Sequence, residues 1–431
     1  MNLFKNRRVV VTGIGPLSAI GIGKEVLWKS IIEKKQGVIL DKHFIGDELL
    51  ESFFIYKMSG FDIHSFGIDT VALEDIKSWK AGEENLDLYY FLAAIKLALD
   101  DSKIEFNKGS QLGLVLAHEN PGLEQFYSNV FKKSFKLLKN NKNLTEKEHF
   151  EALYSSCSKS AYDLQTFMFL YHVAKVFNIH GYSLFINNAC TSGLYAIEAA
   201  SQIIKSGKNK VVAVAAVDNP GLYRCLWLKK QGLYAEDGKI KPFAKDCNGF
   251  VCGQGGASLV LEDLEHAKKR NAKIYAEYLG GGFSLESWKV TLPNVSLNFY
   301  KDAIIQSLIQ SRLKCEEVDL VNAHGVATSI IDQYEARAIR EVFGNSKKRP
   351  FVNAFKPYIG HNLGGCALLE LAILLIALEK DFIPPVLNCE VVNPKLKINV
   401  VRESISKRID TVMKICCGFG GFDGAVIFRK I

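Results

Sequence analysis

The sequence has no apolar run long enough to cross a bilayer. Its longest, residues 366–378, is interrupted by Glu370 and reads as a buried helix. The 10 cysteines never form paired CxxC knuckles: Cys416 and Cys417 are adjacent, and Cys247 and Cys252 stand five apart. That spacing argues against both a zinc site and a small disulfide scaffold. Reduced thiols in the cytoplasm are expected. The start of the chain, MNLFKNRRVVVTGIG, passes directly into a strand without an apolar signal-peptide core. No compact basic motif accompanies the net charge of +8, so nucleic acid is disfavoured as a partner. The turn Gly13-Ile14-Gly15-Pro16 lacks the third glycine of a dinucleotide fingerprint.

What is present is an ordinary globular composition. Of 431 residues, 48% are hydrophobic and 23% charged, enough for a large core and for two similar halves. The basic excess, with a pI near 8.8, is compatible with an acidic partner. A strand over residues 8–12 opens the chain, and apolar helices are expected over 86–99 and 163–177. Residues 210–217 (KVVAVAAV) form a strand buried on both faces, as in parallel sheets. Residues 219–240 read as an irregular loop. Residues 273–279 begin a second strand–glycine–helix cycle, followed by helices over 297–313 and 330–343. Strands and helices alternate throughout, which predicts an α/β fold with mostly parallel sheets. A division into residues 1–262 and 263–431 follows.

The chain is organised around residues 186–206, INNACTSGLYAIEAASQIIKS. Cys190 stands on a strand-to-helix turn, because Leu194, Ile197, Ala200, Ile203 and Ile204 recur at helical spacing just after it. A helix start favours thiolate over thiol, so Cys190 is a candidate nucleophile. Taken alone, one cysteine is more often a small buried apolar residue. Three further segments place reactive or donor groups at element ends: Asn322-Ala323-His324-Gly325, Lys356 with Gly360-His361, and the turn Gly418-Phe419-Gly420-Gly421. A nucleophile, two imidazoles, an ammonium and a glycine turn make the inventory of an acyl-transfer site.

These motifs, NACTSG at 188–193, VNAHG at 321–325, FKPYIGH at 355–361 and GFGG at 418–421, together with residues 257–277, resemble the elongating β-ketoacyl-acyl-carrier-protein synthases of the thiolase superfamily. The resemblance runs from residue 7 to the carboxyl terminus. It implies a layered α-β-α-β-α fold of two similar halves. It also implies decarboxylative condensation of a Cys190-bound acyl chain with malonyl carrier protein, in fatty-acid, polyketide or polyene synthesis. By that resemblance the Cys190 and Phe419 N–H groups form an oxyanion hole, and His324 and His361 stabilise the enolate. Lys356 is salt-bridged to Glu335, with Asp332 as a further partner. Glu370 matches the family's glutamate on the helix after the second histidine. No metal and no organic cofactor is implied, since phosphopantetheine arrives on the acyl carrier protein. The partners implied are that carrier and a second subunit, in a homodimer or a heterodimer with a related ketosynthase. A non-catalytic chain-length subunit, a thiolase or an acyl hydrolase are the competing readings. The intact Cys190, both histidines and Lys356 weigh against the first.

Departures from the family pattern collect at the substrate channel. Thr328 remains as a hydroxyl for the pantetheine arm where Val326-Ala327 replaces part of Thr-Ser-Thr, and Phe422-Asp423 replaces Thr-Asn after the glycine turn. The loop 117–122 carries Glu119 and Asn120 where the family has small residues, which favours a polar-ended or unsaturated acyl chain. The lysines at 132, 133, 136 and 139 are candidates for an acidic carrier, with a solvated helix face as the plainer explanation.

Overall fold

The computed structural model describes the chain except residues 1–6, 46–47, 80–84, 105–110, 141–143 and 161–163. Its main strands are β1 (Val9–Ser18), β2 (Leu112–Ala117), β3 (Ser183–Ile186), β4 (Val211–Asp218) and β5 (Gly255–Asp263), followed by β6 (Ala276–Leu285), β7 (Leu320–Asn322), β8 (Phe351–Asn353), β9 (Thr411–Gly418) and β10 (Phe422–Arg429). They lie side by side in the order β3-β2-β4-β5-β1-β6-β10-β9-β7-β8. Each strand of the first half therefore has a counterpart five strands later. The halves join where Val9, Val10 and Val11 pair with Tyr278, Glu277 and Ala276.

The main helices are α1 (Leu86–Ser102), α2 (Leu123–Asn140), α3 (Ser192–Lys205), α4 (Leu222–Lys230), α5 (Phe299–Ser311), α6 (Ser329–Phe343) and α7 (Cys366–Lys380). Strand alternation assigns the layers. In β4, Val212, Val214 and Ala216 face a central core with α3 and α7, while Val211, Ala213, Ala215 and Val217 face α1. In β9, Val412 and Cys416 face that central core, while Met413, Ile415 and Cys417 face α5 and α6. The result is helix, sheet, helix pair, sheet, helix.

Two expectations are corrected. Only β2 with β3 and β4, and β7 with β8 and β9, are parallel, while β4–β5, β5–β1, β1–β6, β6–β10 and β10–β9 are antiparallel. Helices cover both faces, and an apolar run buried on both faces reads alike in either direction. Residues 219–240 are not all irregular, since α4 lies within them. Its buried stripe is only Cys225 and Leu228, which pack with Phe53, Ile55 and Tyr56, so its helical state rests on distant contacts.

Gly193 opens α3 where it meets α7, and a Cβ there would lie 2.8 Å from the Leu368 nitrogen and 2.9 Å from its Cβ. Gly193→Val is expected to destabilise the protein by about 1–3 kcal/mol through overpacking. The measurement is the urea midpoint at unchanged slope. A midpoint equal to wild type would show that the two helices separate there freely.

Candidate active site

Cys190 lies on a tight elbow between β3 and α3. Ala189 before it takes a positive φ of 49°, costly for a residue with a Cβ. Side chains hold the turn: Thr191 Oγ1 donates to Asn188 O at 2.6 Å and Ser192 Oγ to Ala189 O at 2.6 Å. Cys190 is buried, with Sγ 3.3 Å from His361 Nε2. Burial pushes its thiol well up, and Cys366 and Glu119 add to this. Lys356 and the Phe419 N–H oppose it. The helix start acts against this burial, and His361 is the adjacent proton partner. The glycine turn closes tightly on this elbow, since a Cβ at Gly418 would come within 3.2 Å of the Cys190 nitrogen. Gly420 and Gly421 both adopt φ of 80°.

His324 follows β7. Its ring centroid is 5.4 Å from that of His361, the two planes nearly perpendicular, and Phe250 stacks edge-on against His361. Lys356 Nζ lies 3.3 Å from His324 Nδ1, 2.6 Å from the His324 carbonyl and 2.9 Å from Glu370 Oε1. Because an ammonium only donates, Nδ1 is the acceptor and the ring proton belongs on Nε2. Burial, Lys356 and Lys414 lower the pKa of both imidazoles, so both are neutral near pH 7.

The expected Lys356–Glu335 bridge is not formed. Glu335 instead accepts from the backbone N–H groups of His324 at 2.6 Å and Gly325 at 2.9 Å, and from Tyr300 Oη at 2.8 Å. Asp332 likewise accepts from Phe243 N and Ala327 N, and burial pushes its carboxyl up to about 8. Both acids shape the loop that carries His324. Glu370 takes the ammonium because it faces Lys356 from α7, a relation that sequence distance does not reveal.

Sequence reasoning missed three participants. Lys414 Nζ lies 2.8 Å from Glu370 Oε2, at an angle outside good hydrogen-bond geometry, and donates to Ala323 O at 3.0 Å. Cys416 Sγ is 3.2 Å from His324 Nδ1 and 3.3 Å from Cys190 O, and Cys366 Sγ is 3.4 Å from Cys190 O. The signal for Lys414 was a lone charge inside the apolar strand TVMKICCG. His324, Cys366 and Cys416 form a compact soft-donor set, but the Lys356 ammonium against Nδ1 opposes a cation there.

A narrow cavity of about 50 Å³ is lined by Cys190, His324, His361, Phe419, Thr328 and Asp423. Among the described residues, the Thr328 hydroxyl has no hydrogen-bond partner. Phe422 does not line it. Successive strand residues point to opposite faces, so Asp423 turns in while Phe422 packs edge-on against Tyr195. A second cavity, about 470 Å³, is lined by Asn120, Asp218, Tyr127, Tyr223, Arg224 and Trp227, among others. Trp227 meets Phe419 edge-on between the two cavities. Glu119 is buried beside it with Oε1 3.2 Å from Arg224, so its charge is already paired within the protein. On α2, Lys136 and Lys139 are exposed, while the side chains of Lys132 and Lys133 lie outside the described residues.

Residues 6–267 match the β-ketoacyl synthase N-terminal domain and residues 275–390 the C-terminal domain. The chain is 27% identical to 3-oxoacyl-[acyl-carrier-protein] synthase 2 of Coxiella burnetii over 444 residues, 99% of each chain. It is 32% identical to putative polyketide beta-ketoacyl synthase 1 of Streptomyces virginiae over 268 residues, 61% of this chain and 64% of the relative. The solved ishigamide ketosynthase/chain length factor superposes with a TM-score of 0.85 at 24% identity, over 99% of this chain and 100% of its own. A Burkholderia phymatum β-ketoacyl synthase gives 0.84 at 23% identity with the same coverage, so the fold is thiolase-like. With both domains matched in order along it, the chain belongs to the β-ketoacyl synthase family.

Proposed function

We propose that the chain condenses a Cys190-bound acyl group with a malonyl unit on an acyl carrier protein, releasing CO2 and a 3-ketoacyl carrier. The observation that carries this reading is Cys190 Sγ at 3.3 Å from His361, with His324 beside it, on one buried cavity. In the first step the Cys190 thiol passes its proton to His361 and attacks the acyl thioester carbonyl. The carrier's pantetheine sulfur leaves and takes a proton, while the His361 imidazolium gives up its Nδ1 proton and keeps the one gained on Nε2. In the second, the malonyl C–C bond to the carboxylate breaks, and its electron pair becomes an enolate facing the Nε2–H groups of His324 and His361. The enolate carbon attacks the Cys190 thioester. The resulting oxyanion is held by the Cys190 and Phe419 N–H groups, and its collapse expels the Cys190 thiolate, which is reprotonated from solvent through His361 to restore the thiol. Phosphopantetheine is the carrier's arm, with the Thr328 hydroxyl as a contact, and these steps use no metal or resident cofactor. A neighbouring fold, AntDE:AntF, is described as a type II PKS acyl-carrier protein in complex with its ketosynthase. That supports a carrier as partner.

The same reading makes the enzyme a cytoplasmic dimer, with itself or with a related subunit. Among the described residues, no helix is long and apolar enough to cross a membrane. Strand β3 pairs with β2 along one side and is half-buried to exposed, an edge available for pairing.

The larger cavity supports a specialised acyl chain over a plain saturated one. Tyr223 lies 5.0 Å from Tyr127 and stacks on Phe131 at 5.3 Å, giving flat faces for a conjugated chain. Asn120, Asp218 and Arg224 offer polar partners.

Cys190→Ala is expected to abolish both the acyl adduct and 3-keto product while keeping the fold, since the site is small and buried. Intact-protein mass spectrometry after incubation with acyl carriers reads this directly. An undiminished adduct in the variant would remove Cys190 from its role, and free acid in place of 3-keto product would favour a hydrolase. In competition between octanoyl and polar-ended or polyene carriers, wild type is expected to load the latter. Asn120→Leu is expected to move preference toward octanoyl. Equal loading by both proteins would show that this wall does not select the chain. Glu119→Leu is a poorer test, because it strips Arg224 of its carboxylate.

A further inference from the structure

We propose that Lys414 is a positioning residue of the condensation site, holding His324 in place together with Lys356 through shared Glu370. The inference rests on the condensation reading above and adds a group that the sequence motifs do not contain.

Lys414 stands in β9 between Val412 and Cys416, whose side chains share its face and lie in the central core. Its side chain has no exposure, nor have those of Lys356 and Glu370. A buried ammonium at such a position is unfavourable unless paired and hydrogen-bonded. Both conditions are met at functional atoms. Glu370 offers one oxygen to each lysine, at 2.9 Å and 2.8 Å. The two ammonium groups then bind consecutive carbonyls of the catalytic loop, Lys414 that of Ala323 at 3.0 Å and Lys356 that of His324 at 2.6 Å. Glu335 already holds the N–H side of both peptides that flank His324, and Lys356 alone would add only the carbonyl of the second, leaving the Ala323 carbonyl unheld. With both, the peptide planes on either side of His324 are held, and Nδ1 is presented to Lys356.

The pair also sets charge. His324 is faced by Lys356, Cys416 and Cys366, by His361 and Cys190 across the cavity, and by Glu335 at its own backbone N–H, with Glu370 and Lys414 behind. Lys356 and Lys414 are balanced by Glu370 and Glu335, so one more proton on Nδ1 has no counterion. Removing Lys414 would leave a net negative cluster and make that protonation easier. The required state, Nδ1 accepting and Nε2–H donating to the enolate, would then be lost at a higher pH.

The test separates the two half-reactions. Malonyl-carrier decarboxylation depends on His324, whereas acyl transfer to Cys190 depends on the Cys190–His361 contact. Lys414→Met is expected to slow decarboxylation about tenfold more than acyl loading, and to move the acid limb of the decarboxylation profile up by about one pH unit. Lys414→Gln keeps a donor for Ala323 O without charge. It is expected to recover much of the rate but not the position of the limb, and it decides the matter should the methionine variant not fold. Lys414→Arg is expected to return the limb toward wild type. Equal loss of both half-reactions with an unmoved limb would reduce Lys414 to a structural counter-charge and overturn the proposal. Wild type that neither loads nor decarboxylates would instead overturn the condensation reading itself.

Discussion

Glu370 is a carboxylate shared by two ammonium groups with no access to water, and the packing around His324 is built on it. Desolvating three ions costs several kcal/mol each, recovered only if every one is paired with an opposite charge and hydrogen-bonded. Here the partners are not decorative. The ammonium groups reach carbonyls of the loop that carries His324, and Glu335 takes that loop's N–H groups from the other side. The loop is thus gripped at both its donors and its acceptors. Asp332, pushed up to about 8 by burial, is mostly protonated near neutral pH and leaves the balance of two lysines and two glutamates intact.

The duplicated fold explains why these groups converge. Cys190 lies in the β3–α3 connection and Lys356 and His361 in the β8–α7 connection, and these are counterparts in the two halves. Each connection contains a non-glycine residue at positive φ, Ala189 at 49° and Leu363 at 42°, just before its central helix. Backbone strain of this kind persists only where surrounding packing over-determines it. The loops after β2 and β7 are counterparts too. The latter carries His324. The former carries His118, buried 3.0 Å from Asp87 and 3.6 Å from Asp218. The loop after β7 brings an imidazole to the candidate site, and its twin helps to build the polar wall of the larger cavity.

How far the sequence revealed this depends on the range of the interaction. The alternation of strands and helices, the elbow at Cys190 and the glycine turn are local patterns, and each was legible. The direction of the inner strands was not, because an apolar run such as residues 211–217 is the same string whether parallel or antiparallel. The partner of Lys356 was misassigned because the family resemblance pointed to Glu335, and only the packing that turns Glu370 of α7 toward the lysine reveals the pair. Lys414 was overlooked for the opposite reason. Its oddity, a charge within TVMKICCG, was visible, but its meaning required knowing which face of β9 it shares with Val412 and Cys416.

Under the proposed condensation mechanism, burial also lets one site serve two steps of unlike charge demand. In the free enzyme burial pushes the Cys190 thiol up, which disfavours a negative sulfur beside Glu119. Loading replaces that proton by an acyl group, and the sulfur then carries no titratable charge at all. The next negative charge to arise in the cavity is the enolate, formed when CO2 departs. It develops against two neutral N–H donors whose orientation is fixed and whose neutrality is enforced by nearby ammonium groups. A water-filled site would weaken these interactions by its dielectric and would offer a proton to the enolate. The buried ions that are costly for folding are therefore the same ones that keep the donors aimed before the charge appears.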